Sequence, residues 1–224
     1  DDPRIVSTRI RVGRNIDGYP FPPGISRSRR LKLEDEIVAV LDKRGGDLQG
    51  KYYPLIHMSE SDQQRLVREH YLFKKGDRFL ESAGANRDWP SGRGIFYTID
   101  KKVLVWVNEE DHLRIISMQQ GGGIARVYER LRQVVDMMSA HLHFARSKRL
   151  GYLCSCPTNL GTAMRASVHL RLPRLGQRDG FLSLCNSLQL SVRGVHGEHS
   201  ESEDNIWDIS NTQRLGLSEI DCIN

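Results

Sequence analysis

The chain has 224 residues and a mass of 25.6 kDa, a size that suits one large domain or two small ones. Hydrophobic residues make up 38% of the chain and charged residues 27%, and no apolar run approaches the ~20 residues that span a bilayer, so we predict a globular chain without a membrane-spanning segment. The net charge is +5 and arginine far outnumbers lysine, which favours an anionic partner because a planar guanidinium holds phosphate or carboxylate at two points.

The distribution of charge narrows the kind of anionic partner. The densest basic run, SRSRRLKLEDE, turns acidic within a few residues and contains no aromatic residue. Nucleic-acid surfaces combine basic runs with aromatic side chains. We therefore predict a small anionic ligand and neither a nucleic-acid partner nor a membrane partner.

The first residues and the cysteines indicate the compartment. The chain opens DDPRIVSTRI, which lacks the basic and apolar regions of a secretory signal. The cysteines include a C-x-C pair and fit neither a zinc site nor a secreted disulfide framework; they are Cys154, Cys156, Cys185 and Cys222. We expect a cytoplasmic protein with no protein-bound metal site.

The first half of the chain predicts three strands and two helices. The segment IVSTRIRVGRN alternates apolar and polar residues and predicts a strand with an arginine-bearing face. Apolar residues at helical spacing predict a helix over 29–43, and Ser59 is a typical N-cap for a second helix over 59–73. Two further strands are predicted over VLVWV, residues 103–107, and LRIISM, residues 113–118.

The second half begins with the clearest helical pattern of the chain, over 124–142. Strands are predicted at 152–156, 165–172, 188–194 and 205–210, and a short helix at 180–188. Because strands occur in hairpin-like clusters without regular alternation with helices, we predict an α+β fold: one domain over 1–224, with a large, mostly antiparallel β-sheet flanked by α-helices. Ser218 followed by Asp221 is typical of a helix start, so we expect the chain to be part of a longer polypeptide.

Arginines recur where predicted loops meet predicted strands. They lie in STRIR, NEEDHLR and CPTNLGTAMR, and Arg193 ends another predicted strand ahead of GVHGEHSE. Arginines from the strands of one sheet can converge on a single cleft, and such a cluster suits a triphosphate where the chain has no GxxxxGK loop. We expect a phosphate-binding cleft on the sheet.

Seven motifs follow one another along the chain: STRIRVGRN, YYPL, GDRFL, NEEDHLRIISMQ, CPTNLGTAMRASVHLRLP, RGVHGEH and DISN. In order and spacing they resemble the phosphagen (guanidino) kinases, and among these the arginine kinases. The resemblance covers the catalytic C-terminal domain; the family's helical N-terminal domain and the end of its C-terminal helix have no counterpart in the chain. It implies reversible transfer of the γ-phosphoryl of MgATP to a guanidino nitrogen of L-arginine, with Mg²⁺ held by the ATP/ADP phosphates and water.

The resemblance also implies roles for individual residues. The phosphate-holding arginines of the family match Arg9, Arg11, Arg114, Arg165 and Arg193. Its other nucleotide contacts match Ser7, Thr8, Tyr97, Ser167, His169 and Asp208. Glu110 and Glu198 match the two carboxylates that orient the guanidinium. Cys156 matches the reactive cysteine, whose implied role is positioning and electrostatic tuning without a covalent intermediate.

The chain departs from the family pattern at one nucleotide contact, and other functions stay open. Tyr97 in GIFYT stands where the family has a histidine, and a tyrosine can still stack on or hydrogen-bond to a nucleotide. A protein arginine kinase and a non-catalytic nucleotide-binding domain of a longer protein are the alternative functions. Because closure of two domains excludes water from the transfer, we expect this domain alone to have low activity or none.

Overall fold

The computed structural model describes residues 2–43, 45, 48–75, 78–194 and 204–223, which contain ten strands and five α-helices. The strands are β1 (Ile5–Arg14), β2 (Gly50–Pro54), β3 (Gly94–Thr98), β4 (Val103–Val107), β5 (Leu113–Gln120), β6 (Arg146–Ser147), β7 (Gly151–Tyr152), β8 (Met164–Arg171), β9 (Leu190–Gly194) and β10 (Ile206–Asn211). The helices are α1 (Arg27–Leu41), α2 (Glu60–Arg68), α3 (Arg78–Ser82), α4 (Ile124–Ser139) and α5 (Phe181–Ser187). None of the helices in these ranges has the length and apolar character that a membrane crossing requires.

Eight of the strands form one antiparallel sheet in the order β2-β3-β4-β5-β1-β8-β10-β9, and β6 and β7 form a separate small hairpin. The longest strand, β1, lies in the interior of the sheet and pairs with β5 on one side and β8 on the other. All the pairings between neighbouring strands of this sheet are antiparallel. The predicted α+β fold with a large, mostly antiparallel sheet is confirmed.

The alternation of residues in β1 separates the two faces of the sheet. Ile10 and Val12 are fully buried on one face, while Arg9 and Arg11 alternate with them on the other. Helices α1 and α4 cover the apolar face and complete the main core of the molecule. The residues that α4 buries there are Val127, Leu131, Val134 and Met138.

The opposite face carries a smaller apolar cluster over β2 to β5. Leu66 of α2 belongs to this cluster together with Ile95 of β3 and Leu104 of β4. Trp106 and Ile116 belong to the same cluster and bring it to β5. Because the cluster ends at β5, the same face of β1, β8, β10 and β9 is left to polar and charged side chains.

Most predicted elements are confirmed with shifted ends, and the largest differences lie in the first half. The helix predicted over 59–73 ends at Arg68, because the chain turns at His70, where φ is 61°. The sequence does not predict β2 and β3, since the glycines at their starts and Pro54 are typical of loops. The helix predicted over 124–142 ends at Ser139, so residues 140–142 lie outside it.

The strand predicted over 152–156 is wrong. Only Gly151 and Tyr152 belong to a strand. The N–H of Ser155 donates to the Asp111 carboxylate at 2.7 Å and not to a neighbouring strand. A short 3-10 helix, Pro157–Asn159, follows directly, so the segment around Cys156 is a loop held by a side chain.

His112 makes the stability of the fold depend on pH. Its Nδ1 accepts the N–H of Ile16 at 3.0 Å and its Nε2 lies 3.0 Å from the carbonyl oxygen of Pro20, a pattern that requires a neutral ring with its proton on Nε2. Burial lowers the pKa of His112 from 6.5 to about 4. The unfolded chain therefore takes up this proton first, and the free energy of unfolding falls as the pH drops from 6.5 towards 4, by ~3 kcal/mol across the window.

Urea unfolding at a series of pH values checks this expectation. Other acids titrate in the same range, so the comparison is with His112→Asn, which keeps an acceptor near Nδ1 and has no titrating ring. The variant should lose less stability than the wild-type protein between pH 6.5 and pH 4. Equal losses in the two proteins would contradict the assignment.

The packing of α4 on the sheet predicts a large loss of stability from a single truncation. Leu131 is 1% exposed, so Leu131→Ala should lower the free energy of unfolding by about 2–5 kcal/mol. Leu182 of α5 is 57% exposed, and Leu182→Ala should change it by less than about 1 kcal/mol. Urea unfolding followed by circular dichroism measures both; similar losses for the two variants would contradict the packing described.

Candidate active site

The register of the strands brings the sequence-predicted site residues onto one face of the sheet. Arg11 lies opposite Arg165 of β8, and Arg9 lies opposite Ser167. Residues directly opposed on neighbouring strands point to the same face. Four further predicted residues form a row across β1, β8, β10 and β9. Ser7 lies opposite His169, His169 opposite Asp208, and Asp208 opposite Arg193.

These residues line one cavity of ≈ 770 Å³. The predicted residues that border it are Ser7, Thr8, Arg9, Arg11, Arg165, Ser167, His169, Arg193 and Asp208. The side chain of Thr8 lies on the opposite face of β1 from that of Arg9, since the two residues are neighbours in the strand. Its hydroxyl donates to the carbonyl of Gly121 at 2.9 Å. Tyr71 and Lys101 border the far side of the cavity, and sequence reasoning did not identify them.

The arginines of the cavity repel one another. The pKa of Arg9 is lowered to about 10, first by burial and then by the charges of Arg114 and Arg165. Burial and then the neighbouring charges of Arg114 and Arg9 also lower the pKa of Arg11 well below its ordinary value. Among the described residues the Nε of Arg9 is buried and has no hydrogen-bond partner. A polyanion would supply the negative charge and the acceptors that this cluster lacks.

Two of the arginines are fixed by acids. Arg165 donates from Nη2 to Asp208 at 2.8 Å and from Nε to Ser210 at 3.0 Å. Arg114 lies 3.2 Å from Glu109 and also donates to Glu110. Burial lowers the pKa of Arg114, but Glu109 and then Glu110 raise it by more, so the net shift is upward. These contacts hold both guanidinium groups in place before any ligand binds.

The turn that carries Glu110 and the loop that carries Cys156 meet at one corner of the site. The amide of Asn159 donates to Oε2 of Glu110 at 3.3 Å, and the thiol of Cys156 lies 3.0 Å from the hydroxyl of Thr158. Burial raises the pKa of Glu110 above its ordinary value, although Arg114 opposes this shift. The loop that carries the thiol is therefore joined to the turn that carries the acid.

A narrow cleft connects this corner to the cavity. The cleft is bordered by Arg11, Arg114, Asn159, Arg165 and Arg214, among others. Arg11 and Arg165 also border the large cavity, so the two spaces share a wall of guanidinium groups. The arginine-lined face of the sheet and the Glu110 corner are thus adjacent.

Arg214 is a site residue that the sequence did not reveal. Its guanidinium donates to the carbonyl oxygens of Thr158 at 2.8 Å and Met164 at 3.2 Å, so it braces the loop of Cys156 from the other side. Burial lowers the pKa of Arg214, and the charge of Arg193 lowers it further. No sequence signal distinguishes this arginine from the many others in the chain.

Two predicted residues are placed neither in the cavity, nor in the cleft, nor at the Glu110 corner. Tyr97 borders a neighbouring cavity of ≈ 360 Å³ and stacks on Tyr53, with 4.8 Å between ring centroids and 12° between ring planes. Glu198 lies outside the described residues. The remaining cysteines, Cys154, Cys185 and Cys222, are buried and unpaired.

Comparisons with known proteins identify the family of the chain. The profile described as "ATP:guanido phosphotransferase, C-terminal catalytic domain" matches residues 32–224. The arginine kinase of Haliotis madaka is 52% identical over 220 residues, which are 98% of this chain and 62% of that protein. The arginine kinase of Anthopleura japonica is 53% identical over 222 residues, which are 98% of this chain and 31% of that protein. The chain thus spans less than two thirds of the length of these relatives.

Solved structures give the same result. The crystal structure of lombricine kinase superposes with a TM-score of 0.94 at 41% identity and covers 100% of this chain, which corresponds to 63% of that chain. The duplicated taurocyamine kinase from Schistosoma mansoni with bound transition state analog components gives a TM-score of 0.92 at 47% identity, over 98% of this chain and 31% of that one. The chain belongs to the ATP:guanido phosphotransferase family and carries its C-terminal catalytic domain.

Proposed function

We propose that the protein containing this chain is an ATP:guanidino phosphotransferase that reversibly transfers the γ-phosphoryl of ATP to a guanidino nitrogen of L-arginine. One observation carries the proposal: the cleft bordered by Arg11 and Arg165 is also bordered by Asn159, whose amide holds the Glu110 carboxylate. A phosphate-binding cluster and an acid suited to a guanidinium are therefore adjacent, as direct transfer requires. The relatives named arginine kinases support arginine as the acceptor.

The arginines act on the phosphates of the donor. Phosphoryl transfer depends mainly on alignment and on stabilisation of charge, and fixed guanidinium groups supply both. Arg9 and Arg193 border only the large cavity, so we assign them to the nucleotide's inner phosphates. Arg11 and Arg165 border both spaces and Arg114 borders only the cleft, so we assign these three to the transferred phosphoryl group.

Glu110 orients the acceptor and draws off its proton. The hydrogen bonds from Arg114 and Asn159 both reach Oε2, so Oε1 is the atom that accepts from the substrate guanidinium. A raised carboxylate pKa strengthens this group as a proton acceptor while the nitrogen becomes a nucleophile. Cys156, on the adjoining loop, places a polarizable sulfur beside the same cation. Glu198 is the second carboxylate that the family resemblance implies.

The rest of the cavity suits the nucleotide and its metal ion. Ser7, Ser167 and His169 offer hydroxyl and imidazole groups to the ribose and base, and the Ser7 hydroxyl is 3.0 Å from Nδ1 of His169. In the described ranges no three histidine, cysteine or acidic side chains cluster as a metal site would require. Mg²⁺ would thus be held by the ATP phosphates and water, where it neutralises phosphate charge. The buried Oδ1 of Asp208, which has no hydrogen-bond partner among the described residues, is an acceptor for such a water.

The proposed location is the cytoplasm, because the reaction draws on ATP and the four cysteines are unpaired. Protein arginine kinase activity and nucleotide binding without turnover are the competing functions. The Glu110 corner argues against a pure nucleotide-binding domain, which has no use for a half-buried acid beside the phosphate site. The reaction of the full-length protein with free L-arginine separates the three.

Glu110→Gln should abolish turnover while leaving nucleotide binding intact. The amide cannot accept the proton and pairs weakly with a guanidinium, so we expect kcat with L-arginine to fall by about a hundredfold or more. The dissociation constant for MgADP should stay within about twofold, because Glu110 does not border the large cavity. A coupled assay and calorimetry on the full-length protein measure these quantities.

Glu60→Gln, an exposed acid at the start of α2, is the matched control and should leave both values unchanged. Full activity of Glu110→Gln would contradict the assignment of that residue. A wild-type protein that binds MgATP yet phosphorylates no free guanidino compound would reject the proposed function. Phosphoarginine formed on a protein substrate would instead favour the protein arginine kinase.

Arg9→Gln should weaken the binding of polyphosphate by about tenfold or more, since a charge-assisted hydrogen bond contributes about 1.5–3 kcal/mol. Calorimetric titration with tripolyphosphate measures this without any contribution from base or ribose. Arg149→Gln removes an exposed arginine that does not border the cavity and should have no effect. Equal losses from the two substitutions would indicate attraction by the overall charge of the protein.

A further inference from the structure

Asp111 is a buried acid to which the proposed reaction gives no role. It follows Glu110 directly in the turn between β4 and β5, and it is 2% exposed. A buried carboxylate is tolerated only when it is hydrogen-bonded, so its partners identify the segments that it holds. It also borders the narrow cleft between the phosphate-binding arginines and Asn159.

One oxygen of Asp111 joins segments that are distant in the sequence. Its Oδ1 accepts the backbone N–H of Ser155 and the side-chain amide of Asn15, each at 2.7 Å. Asn15 in turn accepts the N–H of His112 at 2.9 Å and donates to the carbonyl of Leu153 at 3.0 Å. The end of β1, the turn after β4 and the loop of the reactive thiol therefore meet at a single carboxylate.

The second oxygen of Asp111 occupies space that a glycine leaves open. A Cβ added to Gly13 would lie 2.8 Å from Oδ2 of Asp111, closer than such atoms approach in proteins. Gly13 does not have a positive φ, so its backbone conformation does not itself require glycine. The fit to the carboxylate accounts for glycine at this position of β1.

A second hydrogen bond joins the same two loops on the other side of Cys156. Ser155 precedes the thiol and donates to Asp111, whereas Asn159 follows it and donates to Glu110 at 3.3 Å. The two bonds hold the loop at both flanks against the turn that carries the acids. The separation between thiol and carboxylate is thereby fixed by polar contacts.

We propose that Asp111 is a positioning residue for the guanidino substrate: by accepting the Ser155 N–H, it fixes Cys156 relative to Glu110 so that both address the same guanidinium. This inference rests on the proposed function, which supplies the substrate. It assigns Asp111 no contact with the substrate and no part in proton transfer. Its hydrogen bonds, and not its charge, are what the site requires.

The test compares Asp111→Ala with Asp111→Asn in the full-length protein. Alanine removes the acceptor, so the KM for L-arginine should rise about tenfold or more while the KM for MgATP stays within about twofold. Asparagine keeps an oxygen that can accept both N–H groups and should restore the KM for L-arginine to within about threefold of wild type. Iodoacetamide should alkylate Cys156 faster in Asp111→Ala than in the wild-type protein or Asp111→Asn. Mass spectrometry of the peptide that contains Cys156 measures this rate.

Gly13→Ala provides a second variant, in case the alanine substitution at Asp111 prevents folding. The added Cβ displaces the carboxylate without removing it, so the KM for L-arginine should rise and that for MgATP should not. Gly24→Ala is the matched control, because a Cβ there would meet its nearest neighbour at an ordinary 3.7 Å. Both kinetic constants should be unchanged in the control.

Either of two results would overturn the inference. Equal increases in both KM values would indicate a general loss of structure, and an Asp111→Asn variant as impaired as Asp111→Ala would indicate a need for charge. Failure of the proposed function has a different signature, namely a wild-type protein inactive toward L-arginine. In that case the alkylation rate of Cys156 still tests whether Asp111 positions the loop. An unchanged rate in both Asp111→Ala and Gly13→Ala would overturn the positioning role.

Discussion

The site depends on guanidinium groups that the sheet holds side by side against their mutual repulsion. Burial and the neighbouring charges both lower the pKa of Arg11, and the same causes act on Arg9. Arginine stays protonated despite such shifts, so the cluster keeps its positive charge and creates a positive electrostatic potential. The ring of Trp106 lies 6.0 Å from the guanidinium carbon of Arg9 and 5.5 Å from that of Arg114, which offsets part of the cost. In the proposed function, the remaining positive potential attracts the polyphosphate.

The apolar face of the sheet makes this arrangement possible. Ile10 and Val12 alternate with the arginines in β1 and are fully buried under α1 and α4, so the strand cannot move to relieve the repulsion. Pairing with β5 and β8 on its two sides fixes the strand further. Charges held in this way need little rearrangement when a ligand arrives, which is the condition for electrostatic stabilisation of a transferred group. The core thus contributes to the chemistry through rigidity.

The sequence predicts the strand side of the site better than the loop side. Alternation within β1 places Arg9 and Arg11 on one face from local pattern alone, whereas their neighbours follow only from strand order and register. Strand order also explains Tyr97, because β3 is separated from β1 by β4 and β5, and its ring stacks on Tyr53 in the adjacent cavity. The loop of Cys156 resembles a short strand in sequence because the segment YLCSC is mostly apolar. The hydrogen bond that overrides this pattern is accepted by Asp111, 44 residues away.

Strands and loops therefore meet at the cleft, and different interactions hold each of them in position. Strands hold the arginine side through backbone ladders and apolar packing, whereas the Glu110 side consists of loops, which are mobile unless something ties them. A buried polar network can hold loops in place, because each buried polar group that loses its hydrogen bond costs about 1–3 kcal/mol. Breaking part of the network is therefore as unfavourable as losing a contact in the apolar core. Asn15, Asp111 and His112 form such a network directly behind the cleft, with contacts of 2.7 to 3.0 Å. Transfer over a fixed distance requires both partners to be held, and on the loop side hydrogen bonds replace hydrophobic packing in that role.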